Sequence, residues 1–240
     1  MTAEKDVLLS LLKLTHNGWV PKKSIASDAG VPANLAAKAL RKISQENLFH
    51  DHETLINVTP SQRVEIAIRA VQLGADSERV CLSLSWREFE RIAAQAFEAG
   101  DYRVVRNFRF KQASKRWEID ILGFRRPLII CIDCKHWKHG WGRNATMKAV
   151  RSQIERTRAL VDAPLAYYVK AGIHDWETAT IVPMVLSLMT GPDKFYDNVP
   201  VVPVFQLQSF INELPSRINL LKRFNKSFVK LDEFLTRNSQ

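Results

Sequence analysis

The stretch Glu118 to Trp137, EIDILGFRRPLIICIDCKHW, constrains the fold more than any other part of the chain. Leu128 to Ile132 is an unbroken apolar run behind Pro127, the pattern of a strand in the middle of a sheet. It continues directly into Asp133 and Lys135. An unpaired charge inside a sheet is too costly to keep, so this strand end has to bring its partners with it. Side chains alternate along a strand. Glu118, Asp120 and Leu122 are therefore expected on one face, opposite Trp117, Ile119 and Ile121. Cys131, Asp133 and Lys135 are likewise expected opposite Ile130, Ile132 and Cys134. If the two strands are neighbours, Asp120 meets Asp133 and Lys135 across the pair. Two carboxylates at one spot repel unless a proton or a cation lies between them, and a divalent metal with oxygen ligands answers that need.

The flanking sequence supplies a frame for such a pair. Ser85-Trp86-Arg87-Glu88 has the spacing of a capping box. It predicts a helix to about Glu98 that buries Phe89, Ile92, Ala93, Ala96 and Phe97 and stops at Gly100. Strands are expected over Arg103 to Phe110, Arg116 to Phe124 and Leu128 to Lys135, then a polar helix from about Ala145 to Val161 and a further strand from Leu165 to Lys170. Pro200 to Phe205 and Leu207 to Leu214 read as a closing strand and helix, followed by a basic helical tail from Arg217 to Arg237. The order predicts an α/β domain, a central mixed sheet flanked by helices, over residues 77–240.

The first 76 residues read differently. Val7, Leu8, Leu11, Leu12 and Leu14 recur at helical spacing up to a turn at His16-Asn17-Gly18. A short helix from Lys23 stops at Gly30, and a second runs from near Pro32 to about Gln45 with Leu35, Ala36, Leu40 and Ile43 inside. Leu48 to Val58 reads as two short strands around a polar turn, with a closing helix over Pro60 to Leu73. This order resembles a winged-helix domain, and the resemblance implies that Asn34, Lys38, Arg41 and Lys42 form the face that reads DNA.

The net charge of +10 points the same way. Asp101 to Ala159 carries 15 Lys or Arg against 5 Asp or Glu, 15 − 5 = +10, so the whole excess surrounds the carboxylate motif. A concentrated surplus is the footprint of a polyanion. Duplex or branched DNA is the expected partner, with Arg103, Arg106, Arg109 and Lys111 before the motif and Lys138, Arg143, Lys148 and Arg151 after it as phosphate contacts. A membrane partner is not expected. The longest apolar runs are about half the roughly 20 residues that span a bilayer, and no amphipathic basic helix carries exposed aromatics. Three cysteines, an odd number, make no disulfide framework, so a cytoplasmic protein is expected. Cys131 and Cys134 have CxxC spacing, but on a strand their sulfurs face opposite ways and no second pair exists, which argues against zinc.

WREFERIAAQAFEAGDY with Glu90, WEIDILGF with Asp120, and LIICIDCKHW with Asp133 and Lys135 together resemble the PD-(D/E)XK nucleases. Within that superfamily they are similar to the Mrr-type restriction endonucleases and the archaeal Holliday-junction resolvases, over roughly Trp86 to Leu214. The resemblance implies a restriction-endonuclease-like fold and a metal-dependent DNA endonuclease. Asp120 and Asp133 would bind Mg²⁺, with Mn²⁺ as a substitute. Glu90 would complete or border the metal shell, Lys135 would orient the attacking water, and Gln153 matches a glutamine found in some branches. The alternatives are a Holliday-junction resolvase, which requires a homodimer and a junction preference, and a catalytically inactive winged-helix regulator or scaffold.

Overall fold

The computed structural model of the protein describes residues 2–137 and 141–228. The chain forms two compact units, Met1–Ile92 and Ala93–Gln240, whereas the change in sequence character falls near residue 76.

In the amino-terminal unit, α1 (Thr2–Leu14) buries Val7, Leu8, Leu11 and Leu12. It is followed by β1 (Val20–Pro21), α2 (Lys22–Ala29), α3 (Ala33–Gln45), β2 (His50–His52), β3 (Leu55–Asn57), α4 (Pro60–Gln72) and α5 (Ser77–Leu82). The three strands form a small antiparallel sheet in the order β1-β3-β2. Helix α2 ends where Gly30 turns left-handed at φ 62°, a conformation that costs glycine least. The buried stripe of α3 is Ala36, Ala39, Leu40 and Ile43. Leu35, expected inside, is 44% exposed, because a stripe at positions i, i+3, i+4 and i+7 from Ala36 leaves its preceding neighbour outside. Thr59 and Gln62 close a reciprocal capping box on α4, with Pro60 in the first turn where its missing N–H costs nothing.

Arg63 of α4 is 3% exposed and donates from Nε to Glu88 Oε1 at 2.5 Å, from Nη1 to the Leu12 carbonyl at 2.7 Å and from Nη2 to the Ser83 carbonyl at 2.7 Å. Glu88 lies in the first turn of α6 (Trp86–Ala99) and caps it by accepting the Ser85 N–H at 2.7 Å. The start of α6 is thereby fastened to α4 and to the end of α1, and the division between the units falls inside that helix.

The carboxy-terminal unit contains β4 (Arg103–Gln112), β5 (Lys115–Arg125), β6 (Leu128–Lys135), α7 (Arg143–Val161), α8 (Leu165–Lys170), β7 (Thr178–Ser187), β8 (Phe195–Tyr196), β9 (Val199–Pro203), α9 (Leu207–Arg217) and β10 (Phe224–Ser227). Its seven-stranded mixed sheet runs β4-β5-β6-β7-β9-β8, with β10 also on β7. Strands β4 to β6 form an antiparallel meander, while β6-β7 and β7-β9 are parallel. The crossover from β6 to β7 is made by α7 and α8, and Leu160 and Tyr168 from these helices pack with Phe108, Ile119, Leu122, Phe124, Ile129 and Cys131 of the sheet.

Two expected elements are corrected. Leu165 to Lys170, read as a strand, is the helix α8, started behind Pro164 and anchored by buried Tyr168, whose hydroxyl donates to the Leu160 carbonyl at 2.5 Å. The parallel partner of β6 is instead the apolar run of β7. The expected helical tail is a strand at Phe224–Ser227, paired with Thr178 to Ile181 of β7; residues 229–240 of that tail lie outside the described residues. Among the described residues, no helix is long and apolar enough to cross a membrane.

Candidate active site

The ladder between β5 and β6 runs from the Arg125–Leu128 pair to the Ile121–Ile132 pair and stops there. On its other edge β6 stays paired with β7 as far as Lys135 and Ser187. The two strands therefore part where the charges begin. The Cys134 N–H, which the ladder no longer uses, is taken by the Asp120 carboxylate at 2.7 Å. On the other side of β5 the pairing skips Asn107, which sits opposite Asp120 with φ 51°. Ile119 and Leu122 belong to one buried cluster, so the expected two-residue alternation slips by one between them. That slip overturns the expectation that Asp120 and Leu122 share a face opposite both Ile119 and Ile121.

Asp133 is 3% exposed and has a cation at each oxygen. Lys135 Nζ lies 2.7 Å from Oδ2, and the Arg156 guanidinium pairs with Oδ1. The Lys135 contact lacks hydrogen-bond geometry, which leaves Oδ2 a buried oxygen with an ionic neighbour and no donated hydrogen. Arg156 enters the sequence pattern only as one of the 15 Lys or Arg between Asp101 and Ala159. Its signal is its place on α7, three residues after the fully buried Gln153 and beside buried Thr157, on the stripe that faces the sheet. Gln153 donates from Nε2 to the Cys131 carbonyl at 2.7 Å, and its Oε1 lies 3.5 Å from Arg156 Nη1. It thus holds β6 and the Arg156 head in place.

Burial pushes the Asp120 carboxyl above the usual carboxylate range, and the Asp133 charge adds to that rise. The Cys134 N–H, Lys135 and Arg156 offset it only in part. A carboxyl whose folded pKa is raised contributes stability that is fully present below its unfolded value and is lost as pH rises through the folded one. Stability should accordingly fall across that window above pH 3.8, and the loss persists at neutral pH. Asp120→Asn keeps an acceptor for Cys134 and removes the repulsion. It should raise stability at pH 7 by about 1 kcal/mol and flatten the acid slope, both measurable by urea unfolding across pH.

The donor set suits a divalent cation: two carboxylates that repel each other, one with a buried oxygen short of a donor, and hard oxygen ligands only. Among the described residues, no group of three or more His, Cys, Asp or Glu side chains lies at metal-binding separation. Glu90, expected to complete the shell, is half-buried on the part of α6 that belongs to the amino-terminal unit. Water and substrate oxygens would fill the rest of the shell.

Arg106, Arg109 and Lys111 are exposed on β4, and Arg143, Lys148 and Arg151 on α7; Lys138 lies outside the described residues. Arg109 is engaged by Glu118 at 2.9 Å. In the other unit Asn34, Lys38 and Arg41 are exposed on α3, while Lys42 pairs with Glu4 at 2.7 Å. After β6, Trp137 and Trp141 pack ring to ring at 4.5 Å, and the Trp141 N–H donates to Thr146. Cys131 and Cys134 are both free and buried.

The large mixed sheet flanked by helices is consistent with a nuclease-like fold. Residues 85–167 match the family model of the nuclease-related domain, NERD, which belongs to the PD-(D/E)XK-like nuclease fold. The match contains Asp120, Asp133, Lys135, Gln153 and Arg156. The chain is also similar to an uncharacterized protein of Archaeoglobus fulgidus, with 27% identity over 131 residues that cover 55% of this chain and 92% of that protein. No solved structure gives a significant match. The comparisons support a nuclease-related function.

Proposed function

We propose that the chain is a metal-dependent endodeoxyribonuclease that hydrolyses phosphodiester bonds in restriction or repair, acting in the cytoplasm on duplex or branched DNA. One observation supports the reading: where β5 leaves β6, Asp120 accepts the Cys134 N–H and Lys135 pairs with Asp133, inside the stretch that matches the nuclease-related domain. Asp120 and Asp133 would hold Mg²⁺ or Mn²⁺, which supplies an activated water and charge neutralisation at the phosphate. Lys135 presents its ammonium to the non-bridging oxygens as negative charge builds on them. Arg156 fixes the Asp133 carboxylate, and Gln153 acts as a positioning residue through β6 and Arg156. The cationic side chains of β4 and α7 hold the backbone on either side of the cut. The helices and hairpin of the amino-terminal unit suit a winged-helix reader in which Asn34, Lys38 and Arg41 contact DNA. Mrr-type restriction and junction resolution are the two specialisations the motif suggests.

Linear, methylated, single-stranded and four-way DNA incubated with the protein should be cut only when Mg²⁺ or Mn²⁺ is added. A ligand at about 100 times its dissociation constant stabilises by about 2.7 kcal/mol, so saturating Mg²⁺ should raise the melting temperature by roughly 5–10 °C. Asp120→Asn should lose that rise. Absence of both cutting and the melting shift, in either metal, would overturn the reading and leave an inactive DNA-binding scaffold in its place.

A further inference from the structure

A cavity of about 500 Å³ opens at the β4-β5 hairpin, lined by Arg109, Phe110, Lys111, Arg116, Trp117, Glu118, Tyr167 and Lys170. It falls within the range of roughly 300–1,000 Å³ typical of small-ligand sites. Two features of its lining are not needed by the fold. The register sets Lys111 directly opposite Arg116, a like-charge pair that works against the sheet. Neither residue, nor Lys170, has an acidic partner among the described residues. The half-buried side chains of Trp117 and Tyr167 supply flat apolar surface beside these cations, with buried Phe110 beneath, and Trp117 Nε1–H is buried with no acceptor. One charge and one ring face are already matched, since Arg109 is held by Glu118 and the Lys115 ammonium sits 3.8 Å over the Trp117 ring. The cavity therefore combines unspent positive charge with a stacking surface that draws a soft, flat or cationic group.

We infer that this cavity binds one unpaired nucleotide of the DNA strand, its base against Trp117 and Tyr167 and its flanking phosphates on Lys111, Arg116 and Lys170. The inference rests on the nuclease reading and adds a substrate feature to it. A base held in a duplex presents no open face for stacking, whereas an extruded or single-stranded base does. The Lys115 ammonium, at the end of a flexible side chain, gives up the Trp117 face to the base and turns to a phosphate. Trp117 precedes Asp120 by three residues on β5, so the cavity and the first carboxylate are carried by the same strand of the sheet. The preferred substrate is DNA with an unpaired base close to the cut.

The test is equilibrium binding of the full chain in EDTA, where no cutting occurs, to three probes: a fully paired duplex, the same duplex with one central extrahelical thymidine, and thymidine monophosphate. The wild type should prefer the extrahelical probe over the paired duplex by roughly tenfold. Trp117→Leu and, separately, Tyr167→Leu should remove that preference while paired-duplex affinity stays within about twofold. Lys111→Ala/Arg116→Ala should weaken binding of the extrahelical probe and reduce its salt dependence. Because Trp117 also packs against the core, Tyr167→Leu decides the matter if Trp117→Leu does not fold. Equal affinity of the wild type for the paired and extrahelical duplexes would overturn the inference and leave the nuclease reading untouched. So would a preference that survives in folded Tyr167→Leu, or tighter binding of thymidine monophosphate than of the extrahelical probe, which would make the cavity a site for a free nucleotide.

Discussion

Asp133→Asn protein should cut DNA about 10²–10³-fold more slowly in Mg²⁺ than the wild type, the cost of losing one group that stabilises transition-state charge. DNA affinity should be unchanged or slightly higher, because a negative charge facing phosphate is gone. The same substitution should lower stability, since Asp133 is 3% exposed and neutralises two cations. Lys135 and Arg156 are each more than a quarter exposed, so water partly compensates them and the loss should be on the order of 1 kcal/mol rather than the full value of a buried pair. Asp120→Asn should slow cutting by a similar factor but gain stability. Two substitutions with the same kinetic effect and opposite effects on unfolding separate a catalytic loss from a folding loss. Single-turnover cleavage beside urea unfolding of both proteins measures it. Wild-type cutting by a clean Asp133→Asn preparation would place the nuclease activity elsewhere.

Arg63→Ala should strongly destabilise the amino-terminal unit. It removes a guanidinium that is 3% exposed and leaves Glu88, 4% exposed, without its cation. Breaking a pair of this kind costs about 3–5 kcal/mol, which in a unit of this size lowers the melting temperature by roughly 15 °C or more. Burial by itself would raise the Glu88 pKa. The Ser85 N–H and Arg63 outweigh it and hold the carboxyl below its usual range. A carboxyl with a lowered folded pKa contributes stability above its unfolded value, here near 4.5, and loses it as pH falls through the folded one. The wild type should therefore lose this contribution in acid, while Arg63→Ala shows a much flatter acid limb. Thermal melts at pH 7 and pH 3.5 test both statements; a melt at pH 7 within about 2 °C of the wild type would contradict them.

The sequence pattern was most legible where local rules and tertiary demands coincide. The apolar run of β6 ending in charge, the capping box at Ser85, and the turn glycine at residue 30 each have a local cause that survives folding. Neither the parting of β5 from β6 nor the skipped pair at Asn107 was legible, because where a ladder stops or skips a residue leaves no period in the sequence. Leu165 to Lys170 is too short for helical and strand patterns to differ. Pro164 before it and the tyrosine that reaches back to Leu160 decide in favour of helix. The position of Arg156 is hidden in the sequence for another reason. A charged side chain on a polar helix normally faces water, and only the burial of Gln153 and Thr157 beside it reveals that α7 turns that side to the sheet.

Among the described residues, strand β4 is the outermost strand on its side of the sheet and pairs with β5 alone. Ten residues of outer strand offer an open template for another chain to add to. Arg103, Arg106, Arg109 and Lys111 are exposed along it, and like charges repel a second copy of the same strand. The side chains proposed as phosphate contacts would thus also disfavour association edge to edge. Neutralising them to map DNA contacts removes that guard, so weakened DNA binding in such variants is interpretable only beside light scattering that shows they stay dispersed.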